Sequence, residues 1–194
     1  MASTPAGPRP PWREEFALPT GPLPHLIVAF KKAAEPLTTH SLQGSGVQPV
    51  VLRIGTIWGP LVDPESPFFH IPPYINAVLR GAQLGPLHAD DGGDCCYAPD
   101  AGRAIALLMT AQTVPHDTYN VSSGRPFSNR EFADALQATI PGLRLELRPG
   151  RRNGPGHDPY LDITRLSEDT GFAPAFEVGT AVADYVTWRA SHPR

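Results

Sequence analysis

An α/β fold built on a parallel sheet is predicted by three features of the sequence. The first is the run Val50-Val51-Leu52-Arg53-Ile54-Gly55-Thr56-Ile57-Trp58, a β-branched apolar stretch that stops at Gly59-Pro60. Strands covered on both faces by helices read as near-continuous hydrophobic runs of this kind. The second is the order of helix-period and strand-like segments along the chain, which alternate from about His25 onward. The third is length, because 194 residues suffice to bury a proper core. In open sheets of this class ligands settle beyond the carboxyl ends of the strands. The Gly55 to Pro60 stretch is therefore the first place to look for a site.

Element by element, residues 1 to 24 hold Pro5, Pro8, Pro10, Pro11, Pro19, Pro22 and Pro24 and read as extended or partly disordered. From His25 the pattern turns helical, with Phe30, Ala33, Ala34 and Leu37 at three- and four-residue intervals, and Pro36 predicts a kink or break. Gly44-Ser45-Gly46 makes the turn into the Val50 strand. After a Pro-rich loop comes a helix around Tyr74 to Leu84, then a short strand at Cys95-Cys96-Tyr97, with Asp100 placed as the N-cap of the next helix. Thr118 to Val121 reads as a strand. Ser128-Asn129-Arg130-Glu131 is a capping box ahead of Phe132, Leu136 and Ile140. Leu143 to Leu147 alternates as a strand would, and two helices close the pattern, Ile163 to Thr170 and Val178 to Ala190.

Charge and composition narrow the function. The net charge is -3, and beyond the pairs Lys31-Lys32 and Arg151-Arg152 no basic stripe suits a nucleic-acid partner. No apolar run approaches the ~20 residues of a membrane span, and no signal peptide is evident. Cys95 and Cys96 are adjacent, so on a strand they point to opposite faces and do not form a structural disulfide, which suits a reducing cytoplasm. His88, Asp90, Asp91 and Asp94 lack metal-ligand spacing, and no metal is expected. There is no Gly-x-Ser-x-Gly elbow, and Trp58 and Trp188 read first as packing residues.

Several segments taken in order carry a resemblance. They are Leu52-Arg53 through Trp58-Gly59-Pro60, Asp94-Cys95-Cys96-Tyr97-Ala98-Pro99-Asp100 leading into Ala104-Ile105, and Tyr119-Asn120-Val121-Ser122-Ser123-Gly124. Asp162-Ile163-Thr164-Arg165-Leu166 and Gly171-Phe172-Ala173-Pro174 follow. Over residues 25 to 190 the chain resembles the C-terminal portion of the extended short-chain dehydrogenase/reductase family, the NAD-dependent epimerases and dehydratases. The resemblance implies a partial Rossmann-like sheet over residues 25–60, followed by a small mixed α/β substrate-binding module over 61–194. It also implies a NAD or NADP cofactor and a small-molecule substrate, often a nucleotide-linked sugar. The Gly-rich turn that places pyrophosphate at a helix N-terminus is absent from the sequence. Gly44-x-Gly46 lacks the third glycine and precedes a strand. A truncated form of such an oxidoreductase is the expectation, with a noncatalytic descendant as the alternative.

The family pairs a tyrosine with a lysine four residues later on one helix, so that both share a face and meet at one substrate atom. The ammonium lowers the phenol pKa, and the phenol then moves a proton while nicotinamide exchanges hydride. On this resemblance Lys31 takes the lysine position, where it would contact cofactor, but Ile27 stands where the phenol belongs. Ser3 or Thr4 falls near the upstream hydroxyl. Ile54, Gly55 and Thr56 are implied cofactor contacts, and Thr56, Trp58, Gly59, Asp94 and Cys95 substrate contacts. Gly93 and Cys95 occupy the arginine and aromatic positions around Asp94, which weakens the case for a nucleotide phosphate. The Val50 strand would have an unpaired edge, for which a homodimer is the expected cover.

Overall fold

The computed structural model describes residues 11–19, 21–23, 25–82 and 85–192. Ser3 and Thr4, like Leu84 at the end of the expected second helix, lie outside the described residues. The fold is mixed α/β with parallel pairing, as the strand pattern requires. Helix α1 (Leu26–Ser41) leads to β1 (Val51–Ile54) and β2 (Thr56–Trp58); α2 (Ile71–Leu79), β3 (Leu87–His88), β4 (Gly92–Tyr97) and α3 (Ala98–Thr110) follow. Then come β5 (Thr118–Val121), β6 (Pro126–Ser128), α4 (Asn129–Thr139), β7 (Leu147–Arg148), α5 (Thr164–Thr170) and α6 (Val178–Ser191).

The apolar run at Val50 is two strands rather than one. β1 pairs in parallel with β5, from Val51 opposite Thr118 to Ile54 opposite Val121. One residue later β2 pairs in parallel with β4, which is itself antiparallel to β6. Gly55 is the only residue between the two sheets, and at that point the chain changes partner. Every residue of β1 is half-buried, not buried as the run predicts. The reason is that among the described residues β1 has one strand neighbour, so its outer edge carries no ladder.

Two apolar cores result, and β4 serves both. Cys95 packs with Trp58, Ile75, Tyr97, Phe132 and Tyr185. Cys96 packs with Ala104, Tyr119, Val121, Leu166 and Phe172. Adjacent strand residues face opposite sides, and both thiols are free, as the sequence predicts, and buried as well.

Other expectations are corrected in physical detail. Pro36 does not break α1, which continues to Ser41. α2 begins at Ile71 because prolines are tolerated in the first helical turn, where no amide bond is lost. Asp100 is not the N-cap of α3: Tyr97 occupies the cap, and the Asp100 carboxylate instead accepts from the amides of Ala175 and Phe176 at 2.8 and 3.2 Å. The strand expected over Leu143 to Leu147 shortens to β7, whose partner β3 has too little sequence to announce itself. Residues 11–19, expected as extended or disordered, are docked: Trp12 bridges Leu161, and the Glu14 carboxylate accepts from the Asn120 amide at 2.8 Å.

The capping box forms as read. The Ser128 hydroxyl accepts from the Glu131 amide at 3.2 Å while Glu131 accepts from the Ser128 amide at 2.8 Å. Replacing Ser128 by alanine lowers unfolding free energy by about 1 kcal/mol, read from the urea midpoint. An unchanged midpoint would contradict the box.

Candidate functional site

The carboxyl ends of β1 and β5 converge at Gly55 and Ser122, and β4 brings Asp94 against both. The Gly55 amide donates to the Val121 carbonyl at 2.9 Å, which continues the β1 ladder by one residue. A Cβ on Gly55 would lie 2.5 Å from Asp94 Oδ2 and 3.0 Å from Ser122 Oγ. Glycine is required there by this close approach and not by backbone angle.

Asp94 accepts a hydrogen bond from the Ser122 hydroxyl and another from the Leu161 amide. Burial disfavours the charged form, and it outweighs these two donors to push the Asp94 carboxyl up to about 6. The neighbouring thiols are raised as well: burial and the nearby Asp94 charge push Cys96 up to about 12 and Cys95 well up, so neither is a nucleophile at neutral pH.

Beside this junction is a cavity of about 140 Å³, with Trp58, Cys96, Tyr97, Ser122, Arg125 and Phe176 in its wall. The wall is rigid for identifiable reasons. Gly59 has φ of 122°, and a Cβ there would strike the Tyr97 ring at 2.6 Å. The Tyr97 hydroxyl donates to Asp184 at 2.5 Å, and burial together with that carboxylate raises its pKa. Asp100 fixes the opposite wall through Ala175 and Phe176.

The residues singled out from sequence divide into two groups. Gly55, Asp94 and Cys95 lie at or beside the junction, and Cys95 turns its side chain into the core. Trp58 is buried in an aromatic cluster, 4.9 Å from the Tyr97 ring and 6.1 Å from that of Tyr185, and presents only part of its surface to the cavity. Ile54 is half-buried and packs into the second core, while Thr56 is exposed. Lys31 and Ile27 are both exposed on α1, and no residue of that helix is buried. His25 does not replace a phenol at Ile27, because its ring accepts from the Ile27 amide at 3.2 Å and caps α1. Among the described residues no cluster of three or more His, Cys, Asp or Glu is placed to hold a metal.

Two residues escaped sequence reasoning. Ser122 reads as a turn residue, although a strand-end rule applied to β5 as well as β1 points to it. Arg53 lies in the run but faces away from the cavity. Its guanidinium makes a bidentate pair with Glu35 at 3.0 and 2.8 Å and reaches the Glu14 carbonyl at 2.8 Å, tying α1 and residues 14–16 to β1.

The residues present do not fit a whole dinucleotide. Gly55 and its neighbours offer close backbone approach, but the described residues contain no Gly-rich strand-to-helix turn to receive a pyrophosphate.

No family model matches the chain. A dTDP-glucose 4,6-dehydratase of Streptomyces griseus is 27% identical over 188 residues, covering 93% of this chain and 54% of the relative. UDP-glucuronate 4-epimerase 5 of Arabidopsis thaliana is 22% identical over 180 residues, covering 84% and 41%. The chain spans about half the length of these curated relatives. Among solved structures, dTDP-glucose 4,6-dehydratase from Bacillus anthracis in complex with NAD superposes with a TM-score of 0.75 at 17% identity, over 97% of this chain and 58% of that one. UDP-glucuronic acid 4-epimerase from Bacillus cereus in complex with NAD gives 0.75 at 16%, over 94% and 57%. These likenesses show the fold.

Asp94 makes stability depend on pH with a definite sign. Its folded-state pKa lies above the ordinary 3.8, so its favourable contribution is complete below that value and is lost as pH rises through about 6. Relative to wild type, Asp94→Asn gains on the order of 3 kcal/mol between pH 3.5 and 7, with no further change above. Urea unfolding across this range checks it, and a gain in the opposite direction would contradict the burial described.

Proposed function

We propose, for a chain that is a relative of the NAD-dependent epimerases and dehydratases of the extended short-chain dehydrogenase/reductase family, the role of substrate-side portion of such an NAD(P)-dependent oxidoreductase. The observation that carries this reading is the junction of β1, β5 and β4 at Gly55, Ser122 and Asp94, beside a walled cavity at the carboxyl ends of parallel strands. On this reading residues 25–60 supply the late sheet and residues 61–194 the module that faces a sugar or similar hydroxyl or carbonyl compound. Thr56 and Asp94 are the proposed substrate contacts, with Ile54 and Gly55 beside the nicotinamide. Lys31 is the retained ribose contact. Two free buried thiols suit a reducing compartment such as the cytoplasm.

Ile27 favours a second reading. An aliphatic side chain has no proton to exchange, so a noncatalytic ligand-binding or partner-stabilising role follows if nothing else supplies the acid. Calorimetry tests it: on this second reading titration with NAD or NADP gives no heat at millimolar cofactor, and tight binding by the isolated chain would exclude it.

The substrate-side role is tested at Gly93, which has open space around its Cα. Gly93→Arg supplies a bidentate phosphate ligand at the position where the family carries an arginine and tightens UDP binding about tenfold or more, measured by calorimetry. Unchanged affinity would contradict the placement of a nucleotide there.

A homodimer is the proposed partner arrangement. Leu26, Phe30, Ala33 and Leu37 form one stripe of α1, and Leu26, Phe30 and Leu37 are each more than 60% exposed. Sedimentation velocity then finds a dimer that Phe30→Asp dissociates. A monomer at all concentrations would contradict it.

A further inference from the structure

The Asp94–Ser122 contact has a consequence in proton counting. An ionised carboxylate offers only acceptors, and a serine hydroxyl carries one proton. With Asp94 ionised, it holds both the Ser122 hydroxyl proton and the Leu161 amide proton. Ser122, a buried residue of the cavity wall, then has only lone pairs left to offer a ligand. With Asp94 neutral, the pair has two protons for one internal bond. On the other side the carboxylate closes on the bare Cα of Gly55, which offers no side-chain acceptor for the second proton.

We propose that Asp94 sets the hydrogen-bonding sense of Ser122. When the carboxyl is ionised the serine meets a ligand as an acceptor, and when it is neutral the serine donates into the cavity to a carbonyl, ether or phosphoryl oxygen. The only bond that forms is the O–H of the Asp94 carboxyl, whose proton comes from solvent and returns there as pH rises.

The charged groups around Asp94 are engaged elsewhere, which leaves Ser122 and Leu161 as its polar partners. On the β6 side Arg125 pairs with Glu131 at 2.8 Å and Glu177 at 3.4 Å. On the segment after β7, Asp158 is bound by Arg151 at 2.6 Å, and Asp162 accepts from Arg13 at 3.2 Å and from the Thr164 amide. On β4 itself the neighbours are thiols, raised in pKa by burial and by Asp94. The β1–β2 junction contributes only Gly55. The elevated carboxyl pKa agrees with this shielding and places the change of sense near pH 6, inside the physiological range.

The consequence for ligands rests on the substrate-side reading above, but the pair is tested without any ligand, so either can fail alone. In the full chain labelled with ¹³C, the Asp94 Cγ and Ser122 Cβ resonances are followed from pH 3.5 to 8. The two titrate with one shared midpoint near 6. Ser122→Ala removes a donor to the carboxylate and moves the Asp94 midpoint up by roughly one unit or more. Asp94→Asn abolishes the pH dependence at Ser122. A flat Ser122 Cβ, a midpoint that differs from that of Asp94, or an Asp94 midpoint unmoved by Ser122→Ala would overturn the proposal. Should Ser122→Ala not fold, coincidence of the two wild-type midpoints decides.

Discussion

The structure depends on the close approach of Asp94 and Ser122 to the bare Cα of Gly55. At this residue the chain leaves the β1–β5 sheet and enters the β2–β4–β6 sheet without a loop. Any side chain at this position would displace the carboxylate and the Ser122 hydroxyl from their contact. The cavity wall follows from the same contact. Ser122 is held at its edge by Asp94, and Trp58, three residues past Gly55, anchors β2 in the aromatic core. Because Asp94 is on β4, whose next two residues feed one core each, packing on both sides of the strand is transmitted to the junction.

Much of this was legible in the sequence wherever a local rule governs. The Ser128–Glu131 box, the β5 strand and the last two helices are fixed by hydrogen-bond chemistry and hydrophobic period, and each formed within a residue or two of its expected bounds. Gly55 was legible as a candidate from the strand-end rule, and Asp94 only through family resemblance. Ser122 was passed over as a turn residue, although it follows the end of β5 and the strand-end rule reaches it; its pairing with a carboxylate on β4 was not legible. β3, β6 and β7 are two or three residues long and carry no period. Asp100 misled because an aspartate near a helix start has two uses, capping its own helix or gripping distant amides, and tertiary packing chose the second.

The surface around β1 is the least self-sufficient part of the fold. Parallel sheets are ordinarily covered on both faces, and exposed edges are usually blunted or covered. Here the edge of β5 away from β1 is sealed by the Glu14 carboxylate at the Asn120 amide, whereas the outer edge of β1 has no such seal among the described residues. α1 is held to β1 by the bidentate Arg53–Glu35 pair, whose side chains are only about one-fifth exposed. Its apolar stripe contributes nothing to the core.

The central claim is that the Gly55–Asp94–Ser122 junction faces a ligand of the kind bound by epimerases and dehydratases. Backbone amide shifts recorded during titration with UDP-glucuronic acid test it most directly. The account predicts changes concentrated at Gly55, Thr56, Gly93, Ser122 and Ser123, with α4 and its capping box unmoved. Changes confined to α1 or to α4, with the junction silent at saturating ligand, would contradict it.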